Sequence, residues 1–211
     1  MAAKKSTKSP TTKTPSAKKP SAKPPSPAKA PKAPKGAVRF EATLEATRAD
    51  RTILRLPAEA SKQLPSRGQV AVDAVIAGHA FQTVIEPDGE FGHWMSVDAA
   101  LQTATGLAPG DVARVELNPT AEWPEPTVPK DLKKALAAAP SEPRELWDAI
   151  TPMARWEWVR WVNETKVAAT RQKRIDVSIS KLSSGKRRPC CFNLASCTDP
   201  ELAKSGKLSV G

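Results

Sequence analysis

The first 36 residues cannot build a core, which leaves about 175 residues for any fold, enough for two small ones. Met1 to Gly36 holds ten lysines, eight prolines and no acidic residue. Met1 aside, nothing apolar in it is larger than alanine or proline. Such a segment buries too little surface to offset the entropy of ordering it. Its prolines also block any helix, so an extended coil leaning towards polyproline II is expected. Charge divides at the same place. The whole chain has 33 Lys+Arg against 22 Asp+Glu, a formal +11, and without the segment it has 23 against 22. A near-neutral folded body therefore carries a basic, disordered tail, and the two need separate functional arguments.

Lysines spaced along a flexible chain neutralise phosphates and release counterions without reading bases. The tail is thus expected to contact nucleic acid nonspecifically, with Lys4, Lys5, Lys18 and Lys19 among its contacts. Its composition resembles the tails of linker-histone-like and actinobacterial nucleoid proteins. A solvated extension without a dedicated partner is the other reading.

Residues 37–119 read as a small β-barrel. Val38, Phe40, Ala42 and Leu44 alternate with polar residues, the period of a half-buried strand. Further strands are expected over 52–56, 69–76, 80–85, 93–97 and 112–117, with a tight turn at Gly78 and His79. Pro57 opens a short helix, and Asp98 and Gly106 bracket another. The order strand, short helix, glycine, strand occurs twice. Gly68 and Gly110 are offset by 42 residues, as are Val70 and Val112. Such an echo points to a pseudo-two-fold barrel closed by interleaved hairpins, which leaves no strand edge exposed. The run Leu107-Ala108-Pro109-Gly110-Asp111 before a strand resembles the phrase found in AbrB-type swapped-hairpin factors.

Pro124, Pro126 and Pro129, with Pro119 just before them, make residues 120–129 a semi-rigid linker, with Trp123 packed on a domain surface. Helices follow within 130–185, over 131–139, 141–150, 152–166 and 170–182, with Ser141 and Thr151 as caps. Trp158, Trp161, Val162 and Thr165 share one helical face, a core stripe rather than a stacking platform for single strands. Trp156 lies nearly opposite, open to a partner or, more commonly for such a residue, buried against another helix. Residues 186–211 read as an extension docking back through Phe192 and Leu194.

Two stretches carry a family resemblance. Val72 to Phe81 (VDAVIAGHAF), His93 to Val97 (HWMSV) and Gly106 to Leu117 resemble the small barrel at the N-terminus of YdeI/OmpD-associated proteins. Trp161 to Lys166 (WVNETK) and Ala169 to Ile175 (ATRQKRI) resemble that family's helical domain, departing at Thr165 and Ala169, where Ala and Glu are usual. The resemblance implies an α+β chain: a double-split, swapped-hairpin-like β-barrel, then a small α-helical domain. It supplies no catalytic residue to carry over. The family's naming associates such proteins with bacteriocin protection and a porin.

Lys166, Arg171, Lys173 and Arg174 are the body's candidate polyanion contacts, against the commoner alternative of a solvated face balanced by acids elsewhere. His79 and His93 lack the spacing of a metal site. Phosphate-loop, dinucleotide and nucleophile-elbow patterns are missing from the sequence. Cys190, Cys191 and Cys197 do not supply the usual two zinc pairs, although the basic run 186–188 can lower a thiol's pKa. The odd cysteine count, with no secretory pattern at the start, leads to an expected cytoplasmic location. No cofactor and no membrane insertion are expected. The partner is left open between protein and small molecule, and so is the oligomeric state. The expectation is a non-enzymatic binding or stress-protection protein; the rivals are a nucleoid-associated DNA binder and an enzyme using His79 or His93 as base.

Overall fold

Alternating side chains on residues 38–46 form β1 (Val38–Ala46), which sends Val38 and Leu44 inward. It is followed by β2 (Thr52–Arg55), α1 (Ala58–Gln63), β3 (Val70–Ile76), β4 (His79–Pro87), β5 (His93–Val97), α2 (Ala99–Thr105) and β6 (Val112–Pro119). The computed structural model describes residues 36–190 and 193–209. The six strands close into an antiparallel barrel in the order β1-β2-β5-β4-β3-β6. The 42-residue echo has a direct consequence in this order. Its two units are β2-α1-β3 and β5-α2-β6, and equivalent strands pair: β2 with β5, β3 with β6.

Local signals account for most boundaries. Asp98 Oδ1 accepts from the Leu101 N–H at 2.8 Å, and Gly106 ends α2 at φ 71°. The β3–β4 turn is Ala77-Gly78, one residue earlier than expected; His79 already pairs with Ile76. Both turn residues have positive φ, 48° and 83°, the combination that matches strand twist in a two-residue hairpin. Leu54, Val72, Ile76, Ile85 and Leu117 fill the barrel.

After the linker come α3 (Lys130–Ala138), α4 (Ser141–Ala149), α5 (Pro152–Asn163) and α6 (Ala168–Ser183). Thr151 caps α5 as expected, accepting from the Ala154 N–H. Ser141 does not cap α4. Pro140 occupies the cap position and Ser141 is the first helical residue. Helix α5 stops three residues short of Lys166, and Arg174 and Arg171 reach back to satisfy the carbonyls of Trp161 and Val162 left open at its end. Trp158 and Val162 are fully buried, and Trp158 meets Trp161 edge-on, so these three are core; Thr165 lies beyond the end of α5 and is not part of the stripe.

The chain then returns to the barrel as a strap ending in a hairpin, β7 (Ala203–Lys204) and β8 (Lys207–Leu208). Cys197, Leu202 and Leu208 of the strap bury Ile53 and Trp94 on the barrel's outer face. Phe192 lies outside the described residues. Leu194 is 39 % exposed, so docking runs through Cys197, Leu202 and Leu208 instead. Barrel, helices and strap form one compact unit.

Candidate functional site

Helix α5 is buried on two sides. One carries Trp158 and Val162 into the helical core; the other turns Trp156, Arg160 and Asn163 towards the barrel, with Val159 between the two and touching both. Facing them are Val84 and Glu86 on β4 and Trp94 and Ser96 on β5, with Thr198 and Asp199 of the strap closing the side. These elements line a partly open seam cavity of about 310 Å³.

Arg160 organises the seam. Its side chain is only 4 % exposed, and it lies 3.2 Å from the Glu86 carboxylate. It also donates to Thr198 Oγ1 at 3.2 Å and to the carbonyls of Ser196 at 2.9 Å and Leu194 at 3.4 Å. One guanidinium thus ties helix, barrel and strap together. Gln69 donates to Glu86 at 2.5 Å. Burial nevertheless pushes the Glu86 carboxyl above its ordinary range; Arg160, then Gln69, oppose the shift without cancelling it. At the cavity's mouth Arg51 donates to Asp199 at 2.6 Å, joining the start of β2 to the strap. Trp156 donates its indole N–H to Pro124 at 2.7 Å, so it is held by the linker rather than left open.

His93 is buried behind the barrel wall. Its Nε2 donates to the Gly68 carbonyl at 3.1 Å, which leaves Nδ1 to accept from the Ser61 hydroxyl at 2.9 Å. Burial holds its pKa below the ordinary value. His79 is exposed beside Phe81, at the far end of the β3–β4 hairpin. Cys197 is buried, and desolvation raises its pKa to about 11. Cys190 is exposed and accepts from the Lys181 ammonium. Among the described residues, no three His, Cys, Asp or Glu side chains gather where they could hold a metal ion, and no helix is long and apolar enough to cross a membrane.

Comparison with known proteins agrees with this two-part architecture. Residues 40–117 match a domain of unknown function (DUF1905), and residues 125–196 match the family described as bacteriocin-protection, YdeI or OmpD-associated. The chain belongs to the YdeI/OmpD-associated family. No curated protein matches it. The first match spans nearly the whole barrel; the second runs from the linker through α6 into the strap.

Inside the YdeI/OmpD-associated domain, the basic cluster separates into two kinds of residue. Arg171 grips Asp131 of α3 with two bonds, at 2.5 and 3.0 Å, and also bonds Asn163. Its hydrogen bond holds the Asp131 carboxyl below the usual range. Arg174 bonds the Trp161 carbonyl at 2.5 Å, pairs with Glu164 at 2.8 Å and lies over the Trp161 ring. Both arginines thus bring positive charge to the carbonyl end of α5, where the helix dipole favours it. Lys166 and Lys173 are exposed. Lys4, Lys5, Lys18 and Lys19 lie outside the described residues. Reasoning from sequence did not single out Glu86, Arg160, Arg51 or Asp199. The available signal was Trp156, a large aromatic on the helix face opposite the core stripe.

Proposed function

We propose that the chain is a non-enzymatic binding protein of the YdeI/OmpD-associated type, acting in the cytoplasm in stress protection through contacts with other macromolecules. What supports this reading best is the state of His93. A general base needs a nitrogen within reach of a substrate proton. His93 is 1 % exposed and has both ring nitrogens bonded internally, to Ser61 and Gly68. Its geometry is that of a pin joining α1, β5 and the loop before β3. Family membership supports the same general class without naming a partner.

The lysine-rich segment gives this binding protein a sequence-independent affinity for polyanions. A nucleoid-associated role is the second reading, favoured by the concentration of nearly all the net charge in residues 1–36. The test is binding of random duplex DNA by the full chain and by residues 37–211 across a salt series. The proposal expects binding by the full chain alone, with a log–log salt slope of roughly −0.9 per phosphate neutralised. Equal binding by both chains, with sequence preference retained, would replace it with a regulatory DNA-binding role for the body.

A further inference from the structure

We propose that the seam cavity is a binding site for a small zwitterion, an α-amino acid with an apolar side chain. The volume, about 310 Å³, falls at the lower end of the roughly 300–1,000 Å³ typical of small-molecule sites. Such sites favour domain boundaries, and this one takes its walls from barrel, helix and strap.

The charges select the ligand. Arg160 and Glu86 form one ion pair on the cavity lining, and Arg160 is further bonded to the strap. Arg51 and Asp199 form the other pair; their side chains are 32 % and 16 % exposed, so the ligand can reach them from the mouth. The wall is therefore balanced. A singly charged ligand would bring an uncompensated charge into a partly desolvated site, which is costly. A zwitterion adds none. Its carboxylate fits the Arg51 guanidinium and its ammonium fits Asp199, so one ion pair is exchanged for two charge-assisted ones. Val84, Val159 and Trp156 supply apolar lining for the side chain. This goes beyond the proposed macromolecular contacts and does not depend on them.

The test titrates the full-length protein with L-leucine and L-phenylalanine, alongside N-acetyl-L-leucine (an anion) and L-leucinamide (a cation). Amide NMR shifts at Arg51, Val159 and Asp199 report occupancy. The proposal expects saturable shifts with at least one of the two amino acids and binding weaker by about tenfold or more for both single-charge analogues, as expected for a lost charge-assisted bond. Asp199→Asn should weaken the zwitterion by a similar factor. The wild-type comparison stands even if that variant folds poorly. Absence of saturable shifts at these residues up to about 10 mM ligand, a very weak limit, or equal binding of the analogues, overturns the proposal.

Discussion

Arg160 on α5 lies 3.2 Å from Glu86 on β4, and both belong to elements that the sequence keeps in separate domains. Arg160 is almost wholly buried and Glu86 mostly so, and the value of the pair lies less in net stability than in fixing how the two domains meet. Burying two charges costs several kcal/mol, which their attraction roughly offsets. Removing one partner is a different matter, because the other is then stranded.

Glu86 should leave a signature in the pH dependence of stability. Its carboxyl has a folded pKa above the ordinary 4.5, so between those two values the folded state holds a proton that the unfolded state has lost. Stability contributed by this group is therefore present below about 4.5 and declines as pH rises through the folded pKa. Glu86→Gln should flatten that decline and leave the profile elsewhere little changed. Urea midpoints measured from pH 4 to 8 on both proteins check it.

Gly89 lies hard against the strap hairpin. A Cβ there would stand 1.9 Å from the Gly206 carbonyl oxygen, with φ at +82° besides. Gly89→Ala must displace the β7–β8 hairpin and should cost upwards of about 1–3 kcal/mol. Gly106 has a similar φ, +71°, but open space around it. Gly106→Ala should cost only the backbone term, about 1–2 kcal/mol. Thermal unfolding of the two variants gives the comparison, and equal losses would mean the hairpin is not seated at Gly89.

Cys197 should resist thiol reagents in the native protein. It is buried, and its pKa of about 11 leaves almost no thiolate at neutral pH. Cys190 is exposed and should be alkylated first. Iodoacetamide labelling followed by peptide mass spectrometry reads each site. Labelling of Cys197 should rise only when urea unfolds the chain.

How much of this was legible in the sequence depends on distance along the chain. Asp98 and Gly106 announce α2 because caps act within a few residues. The 42-residue echo announces the barrel because equivalent strands pair with each other. The seam was not legible, since Arg160 and Glu86 are 74 positions apart and the Arg51–Asp199 bond spans 148. Each of these residues, taken singly, reads as an ordinary surface charge. Ile53, Val84 and Trp94 held the missing hint: they are apolar side chains on the outward faces of barrel strands, and such faces need a cover. The cover is α5 and a strap whose strands, two residues each, are too short to show a period. Arg171 and Arg174 stand out in the sequence only for their charge; their part in satisfying the end of α5 follows from where that helix stops.

Arg160, the seam cavity and the strap all require barrel and helices to be one body. The most direct test follows urea unfolding of the full chain by hydrogen-exchange mass spectrometry, comparing barrel peptides with peptides from α3 to α6. Wild-type protein should lose protection in both sets at one urea concentration, and Arg160→Met should lower that midpoint by about 3–5 kcal/mol of stability and separate the two transitions. Two separate transitions in the wild type, or an unchanged midpoint in the variant, would contradict it.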